Sequence, residues 1–492
     1  MKKHKFSYKI LTALLAASMA FSMPLTALAD ENDLPDYEEM ADARKLLPIQ
    51  SNSVPGWPQG PEVSAQSAIL IEANTGAILY AKNIDERLYP ASTTKILTCT
   101  LAMENCDLDE MVTFSREAVN SVPWDGSKIG MDAGQALTMD QALDAILIGS
   151  ANEVANAVAE HVGGSMDGFV DMMNARVNEL GLTNTHFVNA NGLYDDNHYT
   201  TAYDLAIIAR DFFSYELLCK KARTPSVDFV PTDTQPDEFT INSKNMLLEG
   251  KKYEYEYLVG SKTGYTDKAR QTLVSCAKKD GMELICVILM DESPRQFQDT
   301  VTLFDYGFNN FSIVNIGNNE LSFSMDNPGF FDTGTDIFGE SKQILMLNED
   351  AFVILPNDAT FNDLTMNVIY DTDNVNAVAK AEYKFDSVTV GYADILIYTQ
   401  TTKVFDGSNA PTNIEDNPDE PVTNVNGKSI FVNLKYVFIG LISFVLLVTI
   451  VILVIRKIQF EKRKLKNKRA KKKASDKDRY YHSGRHHNYR IK

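Results

Sequence analysis

Three short strings far apart in the chain place the hardest constraint on its fold: Ser92-Thr93-Thr94-Lys95, Ser150-Ala151-Asn152 and Lys262-Thr263-Gly264. The first offers a hydroxyl with an amine three residues on. The second offers a hydroxyl and an amide, the third a cation beside a hydroxyl. Each is common alone. Together they act only if the fold gathers a helix start, a break between helices and a strand around one cavity.

The chemistry they could perform there is specific. A serine hydroxyl is a poor nucleophile until a base takes its proton. Positions i and i+3 of a helix share a face, so Lys95 can reach Ser92. Burial and a second cation would lower the lysine pKa enough for it to serve as that base. At a helix N-terminus the unpaired N–H groups would also favour an oxyanion. Ser150 falls between helical stretches, where its hydroxyl could relay a proton and the Asn152 amide could orient Lys95 or hold substrate; an N-cap is the plainer role for either. Lys262 and Thr263 suit a terminal carboxylate, and Gly264 permits close backbone approach before a strand. The kit is that of a serine enzyme opening an amide whose substrate ends in a carboxylate. Two look-alikes, Ser275-Cys276-Ala277-Lys278 and Ser243-Lys244-Asn245, fail on setting: one lies on an expected strand, the other follows no nucleophile helix. No metal, nucleotide or haem signature competes, so neither cofactor nor metal is expected.

Both ends of the chain speak of export. Lys2, Lys3, Lys5 and Lys9 precede an apolar run from Ile10 to Leu28 that closes on Ala27-Leu28-Ala29, which reads as a secretory signal over residues 1–29. Residues 436–455 are uncharged and long enough to cross a bilayer as a helix. A basic tail follows, with 16 Lys and Arg against 3 Asp and Glu, and the positive-inside rule keeps it cytoplasmic. The expected product is a single-pass protein of the cell membrane with its folded part outside. No Leu-Pro-x-Thr-Gly precedes the apolar run, which argues against sortase anchoring. The whole chain carries −19; the tail and the signal account for +13 and +4, leaving −36 between them. So acidic an ectodomain repels nucleic acid. Five dispersed cysteines, Cys99, Cys106, Cys219, Cys276 and Cys286, do not suggest a disulfide framework.

Between the ends, residues 30–62 show no periodicity and read as a leader arm. Strand-like runs at Ser67–Ile71 and Ala77–Ala81 flank an Asn-Thr-Gly turn, and Leu273–Ala277 and Glu283–Met290 flank Lys279-Asp280-Gly281. Helical patterns at Ala91–Met103, Met139–Val177, Ala202–Leu218 and Gln296–Phe308 fill the middle and close the unit. This order predicts an α+β fold over 63–310, an antiparallel sheet flanked by helices with an inserted helical lobe. A small all-β domain (311–402) should follow, with strands at Phe352–Leu355, Thr365–Tyr370, Lys380–Tyr392 and Ile395–Tyr398. A stalk (403–435), the membrane helix (436–455) and the tail (456–492) complete the chain.

From about Val63 to Met290 the chain resembles the serine D-alanyl-D-alanine carboxypeptidases, the low-molecular-mass penicillin-binding proteins of peptidase family S11. The resemblance is carried by Pro90-Ala91-Ser92-Thr93-Thr94-Lys95, Ser150-Ala151-Asn152-Glu153, Leu180-Gly181-Leu182-Thr183-Asn184-Thr185 with Phe187, Asn191-Gly192-Leu193 and Lys262-Thr263-Gly264-Tyr265-Thr266. It implies a β-lactamase/transpeptidase-like fold. It also implies that Ser92 forms an acyl-enzyme with Lys95 as base and that Ser150 relays the proton. Asn152 would bind substrate, Lys262 and Thr263 would hold the terminal D-Ala carboxylate, and the Ser92 and Tyr265 N–H groups would form the oxyanion hole. The implied substrate is a peptidoglycan stem peptide ending in D-Ala-D-Ala, with β-lactams acylating the same serine. Ala269-Arg270 and Thr272-Leu273 depart from the family's usual Ala-Gly and Cys-Leu, placing a bulky cation at the cleft rim; Ser261 replaces a branched residue. Glu179, Leu182 and Asn184 loosely resemble a β-lactamase deacylation loop, with one residue too many. A D,D-endopeptidase or a non-catalytic wall-binding scaffold are the other readings.

Overall fold

Alternation along the central strands sends successive side chains to opposite faces. The computed structural model describes residues 36–320, 345–348, 350–372 and 374–397. In it Ile69 and Ile71, with Ile285, Val287 and Leu289, face a helical lobe. Their neighbours Ala68, Leu70, Leu284, Cys286 and Ile288 face the closing helix Arg295–Asn310 and the second sheet. Burial on both faces explains why these strands read as nearly unbroken apolar runs.

The five strands are antiparallel in the order Ile78–Lys82, Ser67–Glu72, Met282–Asp291, Arg270–Lys279, Leu258–Thr266. The first two and last three in sequence thus build one sheet, and the helical lobe is inserted between them. Both expected hairpin turns form, with Gly76 and the pair Asp280-Gly281 in the left-handed region they require. The lobe's helices begin on sequence-readable caps: Thr138 makes a capping box with Gln141, and Ser165 and Thr201 each accept an N–H from three residues on.

A second sheet runs Phe311–Asn315, Phe352–Pro356, Val388–Ile397, Ala377–Phe385, Leu364–Ile369, with Leu345–Leu347 added beside Val388–Ile397. The single run expected at Lys380–Tyr392 is two strands, because Asp386 takes a left-handed turn that β-rich neighbours conceal. Trp57, Phe311 and Phe385 meet between the sheets, with ring centroids 5.0 and 5.9 Å from Trp57.

Two expectations need correction or placement. The leader arm is not featureless: a helix covers Tyr37–Lys45, capped by Asp36, and Trp57 is buried. Its apolar content is low, so periodicity could not show it; side-chain ion pairs hold it instead, Arg295 with Glu38 and Asp42 at 2.6 Å each. No helix of the described residues is long and apolar enough to cross a membrane, and the signal, stalk, span and tail expected from sequence lie outside those residues. All five cysteines are free.

Candidate active site

The nucleophile string forms a tight turn before its helix. Ala91–Thr94 is a 3-10 turn feeding the α-helix Lys95–Asn105, so Ser92 stands just ahead of the α-helix rather than inside it. Ala91 is held left-handed at φ 51°, and the Thr272 hydroxyl donates to Pro90 O at 2.8 Å, pinning the turn to the sheet. The Ser92 N–H has no hydrogen-bond partner among the described residues, which leaves it free for an incoming oxygen.

Lys95 is fully buried. Its Nζ lies 3.0 Å from Ser92 Oγ and donates to Asn152 Oδ1 at 2.7 Å and to the Asn191 carbonyl. Desolvation, then the neighbouring Lys262 cation, hold its pKa well below the ordinary lysine value. Both carbonyl partners can only accept. A neutral amine satisfies them with its two N–H groups and turns its lone pair to Ser92 O–H, the arrangement a base needs.

Ser150 and Asn152 reach the same cavity by a break in the lobe. Helix Met139–Ile148 ends at Gly149, Ser150 adopts φ 57°, and the next helix starts at Asn152. A left-handed serine is costly and persists only where its surroundings enforce it. Ser150 Oγ accepts from Lys262 Nζ at 3.0 Å, so its partner is the cation of the third string. Asn152 is occupied with orienting Lys95, the first of the two roles open to it.

The third string does not precede a strand but lies inside one, Leu258–Thr266, at the end of the sheet order. Lys262 is 2 % exposed, and burial holds its pKa at about 8. Thr263 is half-buried, and its hydroxyl has no hydrogen-bond partner among the described residues. Gly264 faces the nucleophile turn so closely that a Cβ there would stand 2.3 Å from Thr272 Oγ1 and 2.9 Å from Ser92 N. Tyr265, half exposed at the rim, donates to Asp267 at 3.0 Å.

Ser92, Lys95, Asn152 and Gly264 therefore meet in one cluster, Lys262 and Ser150 pair beside it, and Thr263 and Tyr265 lie on the same strand as Lys262. The decoys do not join it: Ser275 lies on a central strand and shares a hydrogen bond with Ser261, and Ser243 serves a turn at Asn245. Glu179 sits at the surface, ion-paired to Arg176 at 3.1 Å, with its side chain 72 % exposed, so it has no place beside Ser92.

Several supporting residues escape motif reasoning because they act through backbone or burial. Asn191 lends its carbonyl to Lys95 and bonds Asn156 through its amide. Gly192, at φ 82°, lies where a Cβ would fall 1.9 Å from Ala91 O. His198 is buried against Thr94 at 2.8 Å and accepts the Val188 N–H on Nδ1, which makes Nε2 the protonated nitrogen; burial lowers its pKa to about 3. Glu153 binds the Ile129 and Gly130 N–H groups. Glu153, Asn191 and Gly192 stood in strings that carry the family resemblance, though without these roles; Asn156 and His198 gave no signal. A cavity of about 600 Å³, lined among others by Arg210, Lys380 and Asp394, shares no residue with this cluster; chemistry, not volume, locates the site.

Comparison with known proteins identifies the family. The profile of the D-alanyl-D-alanine carboxypeptidase family, peptidase S11, matches residues 55–293. The chain is 37 % identical over 250 residues to the D-alanyl-D-alanine carboxypeptidase DacF of Bacillus subtilis, covering 50 % of this chain and 63 % of that protein. It is 31 % identical over 264 residues to DacB2 of Mycobacterium tuberculosis, covering 52 % of this chain and 86 % of that protein. The crystal structure of penicillin binding protein 5 from Haemophilus influenzae superposes with a TM-score of 0.54 at 26 % identity, over 69 % of this chain and 98 % of that one. With the S11 strings converging on one serine and a relative matched over most of its length, the chain belongs to the D-alanyl-D-alanine carboxypeptidase family.

Proposed function

We propose that this protein is a serine D,D-carboxypeptidase that removes the terminal D-Ala from peptidoglycan stem peptides and is acylated by β-lactams at Ser92. The observation that carries the reading is the buried Lys95 amine, 3.0 Å from Ser92 Oγ, with its two N–H groups taken by carbonyl oxygens.

Lys95 takes the Ser92 proton as Oγ attacks the carbonyl carbon of the penultimate D-Ala. The developing oxyanion meets the unpartnered Ser92 N–H, with the Tyr265 N–H as the second donor that family membership implies. Lys262 and Thr263 hold the terminal carboxylate. The proton on Lys95 passes to the leaving amine through Ser150, D-Ala departs, and water then hydrolyses the ester, the same lysine serving as base. We further propose that the catalytic part is exported by residues 1–29 and anchored by residues 436–455, with the basic tail inside; the charge asymmetry about that apolar run supports this orientation.

D-Ala release from a diacyl-Lys-D-Ala-D-Ala peptide, with and without penicillin, tests the reading. Release should be blocked by penicillin and abolished in Ser92→Ala, and labelled penicillin should stay bound for many minutes. Rapid penicillin turnover would instead make it a β-lactamase, and absent release with an intact fold would make it a scaffold.

A further inference from the structure

Lys95 and Asn152, hydrogen-bonded at the active site, stand at the N-termini of two packed helices, Lys95–Asn105 and Asn152–Gly163. Eleven- and twelve-residue helices run about 16–18 Å. At their far ends three metal-ligand side chains converge. Cys106 caps the first helix, His161 lies in the last turn of the second, and Glu110 follows on the turn between Cys106 and the strand Met111–Thr113. Their ligand atoms all lie within 4.8 Å of one another, and His161 Nε2 is 2.9 Å from Glu110 Oε2.

We propose that Cys106, Glu110 and His161 bind a zinc ion that clamps the far ends of the two helices carrying Lys95 and Asn152. Thiolate, imidazole and carboxylate are the donor types zinc takes, and three of them leave a fourth position for water. Donors on a tetrahedral zinc stand roughly 3.5 Å apart, so closure needs side-chain movements of about 1 Å. The backbones are already fixed. Cys106 N donates to Ala102 O at 3.1 Å, and the Glu110 carbonyl accepts from Met139 N at 2.8 Å. The Asp107 N–H donates to Glu110 Oε1 at 2.7 Å, which fixes that carboxylate and leaves Oε2 facing His161. All three ligands are partly accessible, so an ion can enter. Of the five thiols, Cys106 alone is only partly buried.

The test uses the full chain titrated with Co²⁺ as a spectroscopic stand-in, then with Zn²⁺. His482, His486 and His487 of the tail can also bind either metal, so the readout is the near-ultraviolet thiolate-to-cobalt band, which only an accessible cysteine gives. One equivalent of Co²⁺ should raise the band and one of Zn²⁺ should abolish it. Cys106→Ser should remove it, and His161→Ala and Glu110→Gln should each weaken binding at least tenfold while D-Ala release without added metal stays unchanged. Zinc should raise the melting midpoint of the wild type by several degrees and leave that of Cys106→Ser where it was. A wild type without the band, or a band whose affinity survives both His161→Ala and Glu110→Gln, overturns the proposal. Retained D-Ala release in the variants shows that lost binding is not lost folding.

Discussion

Lys262 Nζ donates to Ser150 Oγ across 3.0 Å, joining the edge strand of the sheet to the hydroxyl between the lobe helices. The contact places a cation close enough to lower the Lys95 pKa, while Ser150 keeps its own O–H to give. Lys262, Ser150 and Lys95, the proposed clamp, relay and base, thus form one electrostatic unit.

That unit predicts a bell-shaped pH profile. Lys262 must be charged to hold a carboxylate, and burial puts its pKa at about 8. It is cationic below that value and neutral above it, so KM should climb as pH rises through about 8. Lys95 must be neutral to act, and its strongly lowered pKa means activity falls only as acid protonates it. Because the two amines interact, the limbs belong to the pair. Initial rates from pH 5 to 10 on wild type and Lys262→Gln check this: the variant should have a raised KM and no alkaline limb.

Ser150→Ala should act on kcat more than on KM. It removes the proposed proton relay and leaves Lys262 with the Thr263 carbonyl, to which it already donates at 2.9 Å. Loss of an acid–base group costs about 10²–10⁴-fold in rate. Stopped-flow acylation by a chromogenic β-lactam should slow by that order while binding of the unreacted drug changes little. Acylation at the wild-type rate would remove Ser150 from the mechanism.

Gly264→Ala should harm chemistry at Ser92 with less effect on folding. The new methyl meets Thr272 Oγ1 and the Ser92 N–H, pushing on the nucleophile turn and its oxyanion donor. Removing one such donor costs about 10²–10³-fold in kcat. The measurement is kcat for D-Ala release alongside a thermal melt, which should fall by only a few degrees.

Glu292 joins the arm to the cleft rim. Its carboxylate, 6 % exposed, pairs with Arg44 of the arm helix at 3.3 Å and with Arg270 at 2.7 Å. Arg270 in turn packs 3.7 Å from the Tyr37 ring. Glu292→Gln strands two cations, and removing one partner of a buried pair costs about 3–5 kcal/mol; denaturant unfolding should show a loss of that order. Tyr37→Ala, which keeps the ion pairs, should leave stability within about 1 kcal/mol and instead raise KM by loosening Arg270 beside Tyr265.

Much of this was legible in the chain. Ser92, Lys95, Asn152 and Lys262 stand in strings whose order survives any fold, and the Asn-Thr-Gly and Asp-Gly turns declare their hairpins through glycine. Arg270, singled out for its bulk, stands opposite Thr266 and reaches Tyr265 at 3.5 Å. Hidden were contacts made by backbone atoms, such as the Asn191 carbonyl on Lys95, and an arm helix held by ion pairs with a distant segment. The turn at Asp386 was hidden for a simpler reason: its flanks are β-rich on both sides.

Composition and local pattern determined the groups present, their order, the strands buried on both faces and the charge of each segment. These depend on residue type and near neighbours alone. Only the tertiary structure decided that Ser150 faces Lys262, that Asn152 holds Lys95, and that the helices beginning at those two residues end beside Cys106 and His161. Each of those relations spans dozens of residues, and desolvation, which makes a lysine a base, exists only once the chain has closed around it.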